Sequence, residues 1–299
     1  MDLALPVPPA IELQTLDPYD WLKQRRGELP PVLGRLGGPP PESLALVAAG
    51  LRGHGTARGL MTHLLDRLPP TGRTGDRPQR TEWGVEWGIV CLAASLGCDI
   101  LGYPGEKKGE YIHQVIPVAG REDSRSNEGA NLFEAHMEAP HLPEPPDLVM
   151  ITYLRNAERG PTTLWPMDTL LAALTPRERA LAFEARFAVE MGESWGERRW
   201  VDFPILDEDP WGQPRLRLDL TSMQGRDPEA QALLDKLFAH CVSPDGHLRN
   251  CLEFVMAPGD VLLFDNRRNC HGRVPIPQVG LPPGERRWLQ RVYLRRHQR

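Results

Sequence analysis

From Val85 to Leu96 apolar residues fill every turn of a helical period, and Gly97 then stops the run. That pattern predicts a buried helix closed by a glycine at its C-terminal cap. Downstream the period shortens to two. Tyr111–Val118, Asp147–Arg155, Arg198–Leu206, Arg215–Leu220, Cys251–Met256, Asp260–Asp265 and Trp288–Leu294 are short stretches bounded by Gly, Pro or Asp, and each is a predicted strand. Two helices interrupt them. Thr175-Pro176 supplies an N-cap and first-turn pair for a helix to about Phe187, and Pro228–His240 forms the other. Upstream, helical spacing covers Glu42–Leu51 and Ala57–Leu68, broken at Gly53 and Gly55. Pro69–Gln79 reads as a polar loop. Residues 1–40, with turn signals at Leu29-Pro30-Pro31 and Gly37-Gly38-Pro39-Pro40-Pro41, read as an arm packing on the body, with a short helix near Pro18–Arg25. Many strands and few helices predict a mainly β fold with flanking helices, a sandwich or jelly roll. No repeat or linker interrupts the chain, so residues 1–299 are expected to form one domain.

Composition narrows this without redirecting it. With 40% hydrophobic and 25% charged residues the chain has an ordinary globular make-up. A net charge of -5, spread over both signs, offers no basic footprint for nucleic acid. No apolar run reaches the roughly 20 residues of a membrane span, and Met1–Glu12 lacks the basic and apolar regions of a signal peptide. The five cysteines are an odd number with no C-x-x-C pair, which points to reduced thiols and a cytoplasmic protein.

Candidate chemistry begins at His136-Met137-Glu138. Residues two apart on an extended chain point the same way, so His136 and Glu138 can both reach one ion. With a distant second histidine they would form the 2-His-1-carboxylate face that suits iron(II) and leaves three coordination positions open, two for a chelating oxo acid and one for dioxygen. Alone the pair is a weak signal, since a strand-end histidine beside a surface carboxylate looks the same. The second histidine is His271, in a polar loop after the apolar strand launched by Pro258-Gly259-Asp260, with Gly272 letting the chain turn away behind it. In Arg286–Tyr293, alternation puts Arg287, Leu289, Arg291 and Tyr293 on one strand face. Two arginines on such a face are either a solvated basic edge strand or the partners of an anion, and a guanidinium matches a carboxylate through two parallel hydrogen bonds.

In order along the chain, Ile116–Asp123, Ser126-Asn127-Glu128-Gly129, His136-x-Glu138, Pro143, Pro146, Asp147, Leu154-Arg155-Asn156, Thr162-Thr163-Leu164, Pro258-Gly259-Asp260, Asp265-Asn266, His271-Gly272-Arg273 and Arg287-Trp288-Leu289-x-Arg291 resemble the clavaminate synthase-like group of the taurine dioxygenase superfamily. The resemblance covers about residues 85–295. It implies a double-stranded β-helix (jelly-roll, cupin-like) core and an Fe(II)- and 2-oxoglutarate-dependent oxygenase that uses O2 and releases succinate and CO2. It further implies His136, Glu138 and His271 as metal ligands. Arg287, assisted by the Thr163 hydroxyl, would hold the distal carboxylate of 2-oxoglutarate, and Arg291 either that co-substrate or a substrate carboxylate. The expected substrate is a small polar, amino-acid-like molecule, free or tethered to a carrier protein. Glu138 separates the chain from related halogenases, which lack this carboxylate, and favours hydroxylation, desaturation or cyclisation.

The departures concern substrate. The group reads H-T-E with F-H-P beyond it, whereas here the run is His136-Met137-Glu138-Ala139-Pro140-His141-Leu142-Pro143. Met137 and His141 are therefore candidate substrate contacts, as are Glu106 and Gln114 from the segment that borders the substrate entrance in the family. Two other readings stay open at this level. A zinc hydrolase would need a general base beside the metal and no anion-binding arginine, and a silent jelly-roll binding module would have no affinity for iron.

Overall fold

The computed structural model describes residues 16–35, 53–80, 82–118, 120–121, 124, 128–191, 199–277 and 280–297. Its centre is a pair of antiparallel sheets. The larger runs β1 (His54–Ala57), β13 (Val261–Asp265), β5 (Leu148–Arg155), β15 (Trp288–Arg296) and β2 (Cys98–Leu101), with β3 (His113–Val115) also against β15. The smaller runs β12 (Leu252–Phe254), β6 (Thr162–Pro166), β14 (Asn269–Arg273) and β4 (Phe133–His136). Beyond them lie a three-stranded sheet of β11 (Met223–Gly225), β7 (Phe187–Met191) and β8 (Arg199–Phe203), and a hairpin of β9 (Leu206–Glu208) with β10 (Pro214–Leu216). This is the double-stranded β-helix expected.

The alternation along β5 shows how the layers are built. Val149, Ile151 and Tyr153 face the smaller sheet and meet Leu164 of β6, Phe264 of β13 and Tyr293 of β15 in the central core. Leu148, Met150 and Leu154 face outward onto α1 (Pro18–Gln24) and α2 (Gly84–Ser95). β5 is therefore covered on both faces, which is why its sequence is almost continuously apolar. The outer face of the smaller sheet carries Ala135, Trp165 and Cys270, and it packs on α3 (Met167–Ala172), α4 (Pro176–Ala182) and α5 (Pro228–Cys241). Each buried aliphatic side chain in these layers contributes about 1.5–3 kcal/mol.

The outward side of β15 is held by a buried polar network. Gln290 donates to Glu86 at 2.7 Å, Trp288 Nε1 to Gln114 at 2.8 Å, and Gln114 to the Tyr19 hydroxyl at 2.7 Å. Arg80 neutralises Glu86 at the network's edge. Fixing one face of a strand fixes the other, so this network sets where Arg291 points.

The structure departs from the sequence reading at several places. Ala57–Leu68 is no helix: Ala57 ends β1, paired with Val261, and a single 3-10 turn covers Thr62–Leu64. Pairing with a strand some 200 residues away overrides local helical spacing. α4 opens with the predicted Thr175 cap, in a capping box with Glu178, but ends at Ala182 because Phe187 already belongs to β7. His271 sits within β14 rather than in a loop. Gly259, by contrast, serves its turn as read, with φ of 89° and no room for a Cβ against Thr62. The Glu42–Leu51 segment and the ends of the N-terminal arm lie outside the described residues, while α1, within the arm, buries Tyr19, Trp21 and Leu22. Among the described residues no helix is long and apolar enough to cross a membrane, and all five cysteines are free thiols.

Candidate metal centre

β14 pairs with β4 so that His271 lies directly opposite His136. Opposed residues of antiparallel strands share a face, which brings the two imidazoles together with ring centres 4.2 Å apart. Glu138 follows two residues after His136, just past the strand end, where Ala139 turns the chain with φ of 52°. Its backbone is pinned by the buried amide of Asn266. The Glu138 N–H donates to Asn266 Oδ1 at 2.9 Å, and Asn266 Nδ2 donates to the carbonyls of Glu138 and Pro146 at 3.1 and 3.0 Å. The motif Asp265-Asn266 thus positions a candidate ligand from 128 residues away. One donor atom from each of His136, Glu138 and His271 lies within 4.8 Å of the others, and all three residues are buried.

The protonation states suit a divalent cation. His136 Nδ1 lies 2.9 Å from the Glu134 carbonyl, which can only accept, so that nitrogen carries the proton and Nε2 is left as a ligand. Burial, and then His271, push the His136 imidazole down to about 3, so it stays neutral. Burial alone would raise Glu138. The Arg291 guanidinium against it, with His271, instead holds it well below the usual carboxylate range. His271 Nε2 is 3.1 Å from Glu138 Oε1, and its buried Nδ1 has no hydrogen-bond partner. The neutral His136 imidazole, the ionised Glu138 carboxylate and the His271 ring, with a buried nitrogen unspent among the described residues, form a donor set that fits iron(II).

Arg291 lies at the rim of this centre. Nη1 meets Glu138, while Nη2 donates to Glu106 at 2.6 Å and lies 3.2 Å from His113 Nδ1. The Tyr293 hydroxyl lies 2.7 Å from Glu106 and 2.8 Å from Glu138. Arg287 is deeper, 3% exposed, with Nη2 at 3.5 Å from the Thr162 hydroxyl, which in turn lies 2.5 Å from the Tyr153 hydroxyl. A cavity of about 460 Å³ opens onto the centre. Its lining includes Glu106, His141, Glu190, Asp219 and Arg291.

Two of the sequence-predicted positions are displaced by one residue. Thr163 is opposed by Gly272 on β14, whereas Thr162 is opposed by Arg273, on the His271 side. The hydroxyl near Arg287 is therefore that of Thr162, and the Thr163 hydroxyl is buried without a partner. Likewise Gln114 pairs with Gln290 on the outward face, committed to Tyr19 and Trp288, while His113 pairs with Arg291 and faces inward. A one-residue change of register exchanges the faces of a strand, and neither segment is long enough to declare its own. Met137 packs mainly into the apolar layer over α5, although it also lines the cavity. His141 lines the cavity and is held down at about 4 by burial and by Arg217. Glu106 stands where expected, with burial raising its carboxyl against the pull of Arg291. Sequence reasoning missed Thr162, His113, Tyr293 and Asp219. Thr162 had a local signal in the threonine pair, and Tyr293 in the alternation it shares with Arg291.

Comparison with known proteins adds the decisive observation. The family model for the taurine catabolism dioxygenase TauD, TfdA family matches residues 91–293. The chain belongs to that family. Among curated TauD, TfdA-like relatives, it is 29% identical over 242 residues to L-asparagine oxygenase of Streptomyces coelicolor, covering 76% of this chain and 66% of that one. It is 30% identical over 186 residues to L-lysine 3-hydroxylase of Catenulispora acidiphila, covering 58% of this chain and 49% of that one. The chain therefore spans about two thirds or less of these relatives. In three dimensions it resembles asparagine oxygenase in complex with Fe(II), 3-hydroxyasparagine and succinate, with a TM-score of 0.70 and 27% identity over 88% of this chain and 79% of that one. It also resembles the non-heme iron oxygenase OrfP in complex with Fe and alpha-ketoglutaric acid, with a TM-score of 0.71 and 29% identity over 88% and 84%.

Proposed function

We propose that this chain, acting as one domain, is an Fe(II)/2-oxoglutarate-dependent oxygenase that hydroxylates a C–H bond of a free amino acid. The observation that carries this is the buried His136–Glu138–His271 donor set, of which His136 and Glu138 line a cavity that also presents Arg291. Bound iron(II) supplies the oxidising chemistry, in which one atom of O2 enters the substrate and the other leaves in succinate as 2-oxoglutarate loses CO2. The protein's part is orientation. His136, Glu138 and His271 hold the metal. Arg287, with the Thr162 hydroxyl, receives the distal carboxylate of 2-oxoglutarate, and Arg291 receives the substrate carboxylate at the cavity rim. Phe133, stacked 4.0 Å over His136, and Phe264, 5.1 Å from His271, exclude water from the ligand rings. A buried Arg287 available to an anion counts against the zinc-hydrolase reading, which would need no anion-binding arginine.

The cavity volume lies in the about 300–1,000 Å³ range of small-molecule sites, which favours a free over a carrier-tethered substrate. Its charges refine the class. Glu106 is paired with Arg291, and Glu128 with Lys107 at 2.7 Å. Asp219, bridged to His136 across the strand edge, accepts from the Ser222 hydroxyl at 2.5 Å and the Thr221 amide at 2.9 Å and has no ion-pair partner among the described residues. Asp219 in the lining thus favours an amino acid with a cationic side chain. In a succinate-release screen, lysine, ornithine or arginine is expected to exceed asparagine at least about tenfold, the worth of one charged contact, with a product heavier by one oxygen. Preference for an uncharged amino acid would contradict the substrate class, and a product lighter by two hydrogens would replace hydroxylation with desaturation or ring closure.

A further inference from the structure

A second buried guanidinium stands near Arg287 and is used by nothing described so far. Arg273 is 4% exposed. It lies opposite Thr162 on β6, and the Thr162 hydroxyl is the group closest to Arg287 Nη2 at 3.5 Å. Arg287 by its side chain and Arg273 by its place in the sheet register are therefore both neighbours of one threonine. Arg273 spends its Nε on the Asn131 carbonyl at 3.1 Å, and its guanidinium carbon sits 5.6 Å from the Phe133 ring centre. Its Nη2 and the Nε of Arg287 are buried without a hydrogen-bond partner, and among the described residues neither arginine has an ion-pair partner. Glu158, an acid that bears on Arg287, directs Oε1 to the Arg287 backbone amide at 2.9 Å.

An unpaired buried charge is strongly unfavourable, and proteins pair such groups or leave them for a ligand of opposite sign. Two of them, buried beside one another with nitrogens unspent among the described residues, describe a site for an anion. Its placement fixes which anion. Arg273 follows His271 by two residues on β14, so one strand face carries a metal ligand and, about 6.6 Å further along, a cation. That spacing is the reach of a short dicarboxylate with one end at the metal.

Resting on the function proposed above, we infer that Arg273 is a second guanidinium for the distal carboxylate of 2-oxoglutarate, acting with Arg287 across Thr162. The pocket is then dicationic, and it selects a dicarboxylic over a monocarboxylic 2-oxo acid.

The test compares wild type, Arg273→Gln and Arg273→Lys with 2-oxoglutarate and with 2-oxopentanoate, which lacks the distal carboxylate. Arg273→Gln is expected to raise the anaerobic Kd and the KM for 2-oxoglutarate by about 10- to 100-fold, the worth of one charge-assisted pair. The constants for 2-oxopentanoate, the amino acid and iron stay unchanged, so the preference for the dicarboxylate collapses, and Arg273→Lys restores part of it. A second readout needs no iron. Glutarate is expected to raise the Tm of the metal-free wild type, whereas Arg273→Gln loses that rise and has a higher Tm without ligand, because a buried unpaired cation is gone. Equal weakening of both oxo acids would assign Arg273 a structural role and overturn the inference, as would unchanged binding of both. Should Arg273→Gln not fold, the ratio in Arg273→Lys decides by the same criterion. Wild type that binds no 2-oxoglutarate sinks the proposed function together with this inference, whereas wild type and Arg273→Gln binding it equally sinks only the inference.

Discussion

Alanine at His271 is expected to abolish stoichiometric iron binding and to cut turnover at least about a thousandfold, a barrier increase of roughly 4 kcal/mol. The substitution is chosen because it leaves the rest of the centre in place. Arg291 still meets Glu138, so no buried charge is stranded, and the Nδ1 lost with the ring had no partner to orphan. Stability therefore moves little, by about 1–2 kcal/mol for the lost packing against Phe264. Removing Glu138 instead would leave Arg291 facing the centre with Glu106 as its remaining carboxylate, which mixes a folding effect with a metal effect. Metal content of the purified variant and its succinate release under saturating 2-oxoglutarate check the prediction. A folded variant that retains iron and more than about a tenth of the activity would remove His271 from the ligand set.

The second large effect is expected one residue on. A Cβ at Gly272 would sit 2.4 Å from the Phe133 carbonyl oxygen, 3.0 Å from the Trp165 ring and 3.2 Å from the Glu134 carbonyl oxygen. Two of these are backbone atoms of β4, so Gly272→Ala has no flexible neighbour to displace and must push β14 away from β4. That pairing is what puts His271 opposite His136. The expected cost is about 3 kcal/mol of stability, or a Tm lower by roughly 5–10 °C for a chain of this size, accompanied by weaker iron binding. Thermal unfolding with and without iron separates the two: the stabilisation that iron confers on the wild type should shrink in the variant. A variant as stable as wild type, with the same iron-induced gain, would show that the two strands tolerate more separation than this packing allows.

Gly272 also shows what can be read from a sequence and what cannot. Its position behind a candidate ligand was legible, but as permission for a turn. The structure uses it for close approach between two strands, a reason that exists only once β4 and β14 are paired. The three donor residues were legible because their order, with the Arg287–Arg291 strand after them, carries a pattern longer than chance supplies. The strands β5, β13 and β15 were legible from their apolar runs between Gly, Pro and Asp. β1 was not, since four residues reading His54-Gly55-Thr56-Ala57 have no strand signal of their own and become one by pairing with β13. The one-residue offsets between the expected Thr163 and Gln114 and the inward-facing Thr162 and His113 have the same origin. Which face of a short strand turns inward is decided by its partner's register, here Arg273 against Thr162 and Arg291 against His113. Arg273 itself stood in the quoted motif without a role, because only the folded chain shows that it has no ion-pair partner among the described residues. The cavity wall at Glu190 and Asp219 comes from segments outside every motif, and so the side-chain class of the substrate was not readable at all.

The central claim, that His136, Glu138 and His271 hold an iron that 2-oxoglutarate then chelates, is tested most directly without oxygen and without substrate. Iron(II) is added anaerobically to the metal-free protein, followed by 2-oxoglutarate, and the visible spectrum is recorded. The account predicts a weak charge-transfer band that requires both additions, perturbed when the amino-acid substrate follows, and missing in His271→Ala. No band from folded wild type that has taken up stoichiometric iron would contradict it.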